Sequence, residues 1–207
     1  MKNLSRCRLY GILDLGYVPV ENLETTALRM LDGGVEILQL RAKMFAATEI
    51  RTFAERLVPL CRRYGVPFLL NDHPELVPLT GADGAHVGQE DLAVSRAREL
   101  AGSGALIGLS THSLAQAMDS ANSQPDYIGF GPLFSTPTKP DYLPIGLEEI
   151  AVVQERVGLP VFCIGGIKLE NLPTVRAAGA RRVVIVSGIL QADDIAGYCR
   201  KCLTLLD

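Results

Sequence analysis

Short apolar runs alternate with longer amphipathic segments along the whole chain, and this alternation leaves few architectures open. An apolar run without interspersed polar residues is typical of a strand buried on both faces, as in a parallel sheet. Eight runs fit this description and are predicted as strands: Arg8–Leu13, Val35–Leu40, Val66–Leu70, Gly84–Val87, Leu106–Leu109, Tyr127–Phe130, Pro160–Ile164 and Arg182–Val186. About eight βα units in succession, without a linker between them, predict an α/β chain closed into a (β/α)8 TIM barrel.

The segments between these strands carry apolar residues at helical spacing and are predicted as helices. They lie near Asn22–Leu31, Thr48–Tyr64, Pro74–Leu79, Val94–Ala101, Leu114–Asn122, Leu147–Val157 and Leu172–Ala178, with a last one from Ala192 onward. A doubly wound open sheet is the competing architecture. Such sheets usually bind a nucleotide through G-x-G-x-x-G after the first strand, whereas Leu13-Asp14-Leu15-Gly16 follows here.

Length and charge narrow the class of protein. At 207 residues with 48% hydrophobic residues, residues 1–207 are predicted to form a single domain with a full core. No apolar run approaches the roughly 18 residues of a membrane span, and no signal-peptide pattern precedes the first strand, so we expect a cytoplasmic protein without a membrane partner. The net charge of −3 offers no basic field for a nucleic-acid partner.

The cysteines and histidines do not form a metal or redox motif by their spacing. Five cysteines are present, and Cys199 and Cys202 match C-x-x-C, but both recur at helical spacing with apolar neighbours and are predicted as core thiols. The three histidines are scattered without an H-E-x-x-H pattern, so a His-ligated zinc site is not expected.

Polar residues concentrate where the predicted strands end, which in a barrel is the rim that carries chemistry. The third strand ends in Asn71-Asp72, and the fourth is followed by Gly88-Gln89-Glu90-Asp91. Because consecutive parallel strands end on the same rim, Asp72 and Asp91 are expected to lie close together. An oxygen-only pair of this kind suits Mg²⁺, although each acid alone would also fit a helix cap or turn.

The same rim is predicted to recognise two phosphorylated groups. Arg41, Lys43 and Lys139, with the amide of Asn71, could neutralise one of them beside the metal. Gly165-Gly166 and Ser187-Gly188 follow the seventh and eighth strands, at the position where barrels usually bind phosphate through backbone N–H groups. A salt-bridged strand edge and a plain entry turn are the bland alternatives for these two features.

The connection from Gly131 to Gly146 is longer than an ordinary βα loop. It contains Pro132, Pro137, Pro140 and Pro144, which limit its freedom. A long, stiffened loop with threonines and a lysine at its centre is more often a lid or binding loop than a spacer.

Taken together, these motifs resemble those of the thiamine-phosphate synthase family over nearly the whole chain. The matching pieces, in order, are Gln39-Leu-Arg-Ala-Lys43, Asn71-Asp72, His86-Val-Gly-Gln-Glu-Asp91, Gly108-Leu-Ser-Thr-His112, Gly131-Pro-Leu-Phe-Ser-Thr-Pro-Thr-Lys139 and Ile164-Gly-Gly-Ile167. The resemblance implies a (β/α)8 transferase that joins 4-amino-5-hydroxymethyl-2-methylpyrimidine diphosphate to 4-methyl-5-(2-phosphooxyethyl)thiazole. It also implies Mg²⁺ as cofactor, and thiamine phosphate and pyrophosphate as products.

The resemblance assigns roles to residues by matching motif. The diphosphate would be held by Arg41, Lys43, Asn71 and Lys139. Gln39 and Ser110 would line the pyrimidine side, while Asp72 and Asp91 would bind Mg²⁺. The thiazole phosphate would be received by Thr136, Thr138, Gly166, Ser187 and Ile189. Arg41, Lys43, Ser110 and Lys139 are the candidates for the chemistry itself, in which the site stabilises departing pyrophosphate while positive charge develops on the pyrimidine methylene.

The chain departs from the family pattern in two places beside the site, and other functions stay open. Leu13 stands where threonine is common, and His73 stands where arginine is common.

One alternative function is that of the related thiazole tautomerase, an isomerase in which His112 could transfer the proton. Another is a non-catalytic regulator that binds thiamine phosphate. The apolar segment Met44-Phe45-Ala46-Ala47 also leaves a homo-oligomer open.

Overall fold

The computed structural model describes residues 4–136 and 143–207, and in these residues eight parallel strands close into a barrel in sequence order. The strands are β1 Leu9–Asp14, β2 Ile37–Arg41, β3 Phe68–Asn71, β4 Gly84–Val87, β5 Leu106–Thr111, β6 Tyr127–Phe130, β7 Val161–Cys163 and β8 Val183–Ile185. The register closes the barrel through the pairing of Leu9 with Val183 and of Tyr10 with Val184. The prediction of a (β/α)8 barrel is confirmed.

Helices connect the strands on the outside of the barrel. They are α1 Leu23–Asp32, α2 Ala47–Tyr64, α3 Val77–Thr80, α4 Val94–Ala101, α5 Leu114–Ser123, α6 Ile150–Arg156, α7 Leu172–Ala177, α8 Ser187–Leu190 and α9 Ile195–Leu206. The apolar face of α2 packs into the core, since Ile50, Phe53, Leu57 and Cys61 are all buried. None of the helices within the described ranges is long and apolar enough to cross a bilayer.

Three helices differ from their predicted bounds by more than one residue. The helix predicted at Pro74–Leu79 is a 3-10 turn, Pro74–Leu76, followed by the four-residue α3. The segment predicted from Leu147 begins as a helix only at Ile150. Two helices follow β8, because Ser187–Leu190 forms a separate turn and α9 begins after Asp194, whose side chain accepts a hydrogen bond from the Gly197 N–H.

Side chains alternate between the barrel interior and the wall, because successive residues of a strand point to opposite faces. The wall, between strands and helices, holds most of the aliphatic core. The interior holds a smaller cluster with Tyr10, Leu69, Tyr127 and Phe162. The rings of Tyr10 and Phe162 meet edge to face at a centroid distance of 5.6 Å. These aromatic side chains fill the interior below the rim at which the strands end.

The C-terminal helix α9 packs against the wall and carries two of the five cysteines. Cys199 and Cys202 are both fully buried, and the Cβ of Cys199 lies against the backbone of Gly33, at the end of α1. All five cysteines are buried, and none of them is in a disulfide. The prediction that the C-x-x-C pair consists of core thiols is therefore confirmed.

Candidate active site

A cavity opens at the carboxyl ends of the strands and encloses about 900 Å³ of empty space, its open mouth included. It is bounded by residues from every strand except β7 and by the connections after β6, β7 and β8. Among the predicted site residues, it is lined by Gln39, Arg41, Asn71, Ser110, Thr136, Gly166 and Ser187. Lys43, Asp72, Asp91 and Ile189 are not in its lining. Thr138 and Lys139 lie outside the described residues.

The Arg41 guanidinium is held by a buried carboxylate. Arg41 ends β2 and pairs with Asp14, the last residue of β1, through Nη1 and Oδ2 at 2.5 Å. The second oxygen of Asp14 accepts the Gly16 N–H at 2.9 Å. Only 2% of Asp14 is exposed, so its charge is compensated inside the protein. The sequence prediction missed this partner, although its signal was present: Asp14 is a polar residue at the end of an apolar strand, like Asp72.

Asp72 lies at the centre of a second charged group. Its Oδ2 is 3.2 Å from the Lys43 Nζ and accepts a hydrogen bond of 2.6 Å from the Asn71 side-chain amide. Its backbone has φ of 63°, in the left-handed region that Asp and Asn adopt more readily than most other residues. The backbone N–H of Asp72 donates to the His86 carbonyl on β4 at 2.9 Å, which fixes the turn after β3.

The predicted pairing of Asp72 with Asp91 fits the electrostatics of this group. Burial raises the pKa of Asp72, and the nearby Asp91 carboxylate raises the pKa further, while Lys43 lowers it. Asp91 is exposed and accepts the Gly88 N–H at 2.7 Å, which closes the turn after β4. No cluster of three or more His, Cys, Asp or Glu side chains with the spacing of a metal site is found in residues 4–136 and 143–207. Two neighbouring carboxylates fit Mg²⁺, which takes one or two protein carboxylates and fills its remaining positions with water and phosphate.

Gln39 presents an unsatisfied donor at the cavity. The residue is 1% exposed, and its side-chain Nε2 has no hydrogen-bond partner among the described residues. Buried polar groups are almost always hydrogen-bonded, so an unsatisfied amide that faces a cavity indicates a place for a ligand acceptor. The assignment of Gln39 to the pyrimidine side stays a prediction from the family resemblance.

The other end of the cavity is built mainly from backbone. Gly165 and Gly166, after β7, have φ of 101° and 64°, and Ser187 begins α8 after β8. Ile189 is placed differently from its neighbours. Its side chain is fully buried in the wall core, and its N–H donates to the Val186 carbonyl at 3.1 Å.

Two histidines, His86 and His112, line the cavity. His86 contacts Ser110 through Nε2 at 2.9 Å and the Tyr127 hydroxyl through Nδ1 at 3.0 Å. The Nδ1 of His112 lies 2.5 Å from the Gly131 carbonyl oxygen. Because a carbonyl oxygen can only accept, His112 carries a proton on Nδ1.

Comparison with known proteins agrees with this geometry. A family profile described as thiamine monophosphate synthase matches residues 9–189. The thiamine-phosphate synthase of Thermus thermophilus is 47% identical over 167 residues, covering 80% of this chain and 80% of that protein. The thiamine-phosphate synthase of Halalkalibacterium halodurans is 37% identical over 201 residues, covering 97% of this chain and 95% of that protein.

Solved structures separate the family from the wider fold. The thiamine phosphate pyrophosphorylase of Pyrococcus furiosus is 29% identical and superposes with a TM-score of 0.89 over 99% of this chain and 98% of that chain. A 3-hexulose-6-phosphate synthase, at 14% identity and a TM-score of 0.71, shares the barrel alone, as expected for a fold that hosts many reactions. From the profile match and these relatives, the chain belongs to the thiamine-phosphate synthase family and is an enzyme, a transferase of thiamine biosynthesis.

Proposed function

We propose that this enzyme joins 4-amino-5-hydroxymethyl-2-methylpyrimidine diphosphate to 4-methyl-5-(2-phosphooxyethyl)thiazole and releases thiamine phosphate and pyrophosphate. The observation that carries the proposal is that a cation and an amide in the cavity lining, Arg41 and Asn71, lie at strand ends next to charged residues just outside the lining. Arg41 faces the cavity, and Lys43 lies beside the carboxylate of Asp72. Cations next to a divalent-metal ligand pair match a diphosphate bound with Mg²⁺.

Each part of the site has a stated role in this proposal. Arg41, Lys43 and Asn71 hold the diphosphate, with Lys139 assigned by the family motif. Mg²⁺, held by Asp72 and Asp91, supplies positive charge to the phosphate oxygens when it is bound. Gln39 and Ser110 bind the pyrimidine. The thiazole phosphate is received by Thr136, Thr138, Gly166 and Ser187. The family motif alone assigns Ile189 to the same phosphate.

The reaction needs no protein nucleophile and no net proton transfer. The bond between the pyrimidine methylene and the diphosphate oxygen breaks, and its electron pair leaves with pyrophosphate. The thiazole nitrogen then donates its lone pair to the methylene carbon and forms the new C–N bond. The protein orients the two substrates and stabilises the charge that develops on the departing oxygens, which is where preorganised cations are most effective.

A coupled assay tests the proposal. Purified enzyme, both substrates and Mg²⁺ are mixed, and pyrophosphate release is followed together with thiamine phosphate by chromatography. Equal amounts of both products support the proposal. Folded enzyme that releases no pyrophosphate under these conditions excludes it.

The two proposed metal ligands give a sharper test. Asp72→Asn keeps a residue that tolerates the positive φ at this position, and Asp91→Asn keeps an acceptor for the Gly88 N–H. We expect either substitution to lower kcat/KM by about 100-fold or more and to raise the Mg²⁺ concentration needed for half-maximal activity. Asp119→Asn, an exposed acid on α5 that accepts a hydrogen bond from Asn122, is the matched control. If Asp72→Asn and Asp119→Asn have the same rate and Mg²⁺ dependence, the metal assignment is wrong.

The thiazole tautomerase reaction is the second candidate, because a histidine with a defined tautomer lines the cavity. His112 donates from Nδ1 to the Gly131 carbonyl, which in the neutral ring leaves Nε2 as the basic nitrogen, as a proton-transfer residue requires. This second reaction would be favoured if the enzyme isomerises the thiazole in the absence of the pyrimidine substrate, and if Asp91→Asn leaves the rate of that isomerisation unchanged.

A further inference from the structure

A chain of polar side chains runs from the apolar interior of the barrel up to the cavity. It begins at Tyr10 on β1, whose hydroxyl lies 3.1 Å from the hydroxyl of Tyr127 on β6. The Tyr127 hydroxyl lies 3.0 Å from Nδ1 of His86 on β4, and His86 Nε2 lies 2.9 Å from Oγ of Ser110 on β5. All four residues line the cavity, but Tyr10 and Tyr127 are almost completely buried, whereas Ser110 is only partly buried.

The buried end of this chain fixes the direction of its hydrogen bonds. In residues 4–136 and 143–207, Tyr127 is the only hydrogen-bond partner of the Tyr10 hydroxyl. Burial raises the pKa of both phenols well above the ordinary range, so both keep their protons. If Tyr127 donated to Tyr10, the Tyr10 proton would have no acceptor, and a buried donor without an acceptor is costly. Tyr10 must therefore donate to Tyr127.

The same reasoning carries the direction outward to the cavity. Tyr127 accepts from Tyr10, and its own proton can go only to Nδ1 of His86. Nδ1 then acts as the acceptor, so the ring proton lies on Nε2 and is donated to the Ser110 oxygen. An imidazolium would not fit, because it would donate from Nδ1 as well and leave one phenol proton without an acceptor. At the end of the chain, the Ser110 hydroxyl proton points toward the cavity.

The packing around the chain makes room for this arrangement. A Cβ on Gly108 of β5 would collide with the Tyr127 hydroxyl and with Nδ1 of His86. The absence of a side chain at Gly108 therefore leaves the space that the hydrogen bond between Tyr127 and His86 needs beside β5. The Tyr127 ring is also held from its other side by Phe162, with ring centroids 5.5 Å apart. Both contacts hold the phenol and the imidazole within hydrogen-bond distance of each other.

We propose that Tyr10, Tyr127 and His86 are positioning residues that hold Ser110 as a hydrogen-bond donor to a lone-pair acceptor of the substrate in the cavity. The direction of the chain is inferred from the contacts and burial of these residues and from the protonated state of the two phenols. The identification of the acceptor with an atom of the pyrimidine substrate rests on the proposed function. A substrate analogue that presents a donor at this atom would meet the Ser110 proton and be rejected.

The tautomer of His86 tests the direction of the chain without any substrate. The protein has three histidines, and His73→Gln and His112→Gln variants assign their ¹⁵N signals in a long-range ¹⁵N–¹H correlation spectrum of the folded, ligand-free enzyme. We expect His86 to give the pattern of a neutral ring protonated at Nε2. A proton on Nδ1, or on both nitrogens, would overturn the proposal even if the enzyme is an active synthase.

A double-mutant cycle tests whether Tyr127 acts through Ser110. Tyr127→Phe keeps the ring and removes the hydroxyl, and we expect kcat/KM for the pyrimidine substrate to fall about tenfold. In a Ser110→Ala background, the same change should have almost no further effect, because the group that it positions is gone. Fully additive effects would mean that Tyr127 is only structural and would contradict the proposal.

A surface hydroxyl provides the control for this cycle. Tyr64→Phe removes a phenol that donates to Asp32 at the rim where the strands begin. We expect its kcat/KM to equal that of the wild type in both backgrounds. If wild-type enzyme shows no synthase activity at all, the proposed function fails, whereas the ¹⁵N experiment still decides the direction of the chain.

Discussion

At the residue scale, the charge of Arg41 is compensated by the Asp14 carboxylate more than by solvent. The guanidinium side chain is 16% exposed and the carboxylate 3% exposed, so water screens their interaction only weakly. In such a pair, removing one partner leaves a poorly solvated charge without compensation. Asp14 therefore stabilises the fold and also restrains a cation that the proposed diphosphate needs.

Asp14→Asn separates these two effects. The substitution keeps the shape and an acceptor but removes the charge, and we expect a loss of about 2–4 kcal/mol in the free energy of unfolding. Because Arg41 is then uncompensated, inorganic pyrophosphate should raise the melting temperature of the variant more than that of the wild type. Urea denaturation measures the loss of unfolding free energy, and differential scanning fluorimetry with and without pyrophosphate measures the shift in melting temperature.

An exposed ion pair supplies the comparison for this variant. Glu24 pairs with Arg56 on the helix surface, with side chains 42% and 34% exposed, and Glu24→Gln should change stability by less than about 1 kcal/mol. Its response to pyrophosphate should match that of the wild type. If Asp14→Asn and Glu24→Gln have equal melting temperatures, the buried ion pair stabilises the fold no more than the exposed one.

At the element scale, the connections after β6 and β7 form one backbone unit. Leu133 N–H donates to the Ile164 carbonyl at 2.9 Å, and Phe134 N–H donates to the Gly165 carbonyl at 3.1 Å. Gly131 and Gly165 lie where the two segments approach most closely, since a Cβ on either would overlap the backbone of the other segment. The shape of the proposed thiazole-phosphate end therefore depends on backbone packing.

Gly165→Ala should disrupt this unit. Its φ of 101° is unfavourable for alanine, and the new Cβ would collide with Pro132. We expect a loss of about 2 kcal/mol or more in unfolding free energy. Relative to the wild type, the KM for the thiazole phosphate should increase more than the KM for the pyrimidine substrate. Urea denaturation and steady-state kinetics measure the two effects.

Gly158→Ala is the matched control, since a Cβ there meets nothing within 4 Å and the φ of Gly158 lies outside the left-handed region. This variant should stay within about 1 kcal/mol of the wild type. If both alanine variants behave alike, the loops tolerate more adjustment than their packing implies.

The strands were predictable because their physical cause is local. A strand buried on both faces is a continuous apolar run, so β1 was predicted at Arg8–Leu13 and is observed at Leu9–Asp14. The short α8 was not predicted, because four residues are too few to show helical spacing. The gathering of polar side chains at one rim was also predictable, since it follows from parallel strands.

The partners within the site were not predictable, because they depend on the closed barrel. Tyr10 and Tyr127 are 117 positions apart in the chain, and their hydroxyls meet only inside the assembled interior. The pairing of Asp14 with Arg41 requires the register of β1 on β2. The position of Asp14 at the end of an apolar strand marks it as a rim residue, but neither pairing leaves a pattern in the local sequence. The family motifs likewise indicated Arg41 as a candidate without its partner.

At the scale of the whole molecule, four of the five buried cysteines link stability to pH. Burial raises the pKa of Cys61, Cys163, Cys199 and Cys202 to about 12 in the folded protein, from an ordinary value of 9.0. Between these two values, the folded state keeps the thiol protons that the unfolded state releases. The unfolded state then binds fewer protons, so stability is greatest below pH 9 and is lost as the pH rises toward 12.

We therefore expect the free energy of unfolding to fall by about 3 kcal/mol between about pH 7.5 and about pH 9.5, where unfolded tyrosines still hold most of their protons. Urea denaturation under reducing conditions at the two pH values measures the difference. A Cys199→Ala/Cys202→Ala variant is less stable at both pH values because its core has cavities, but it should show only about half of the pH-dependent loss. A loss as large in this variant as in the wild type would show that groups other than the buried thiols cause the alkaline destabilisation.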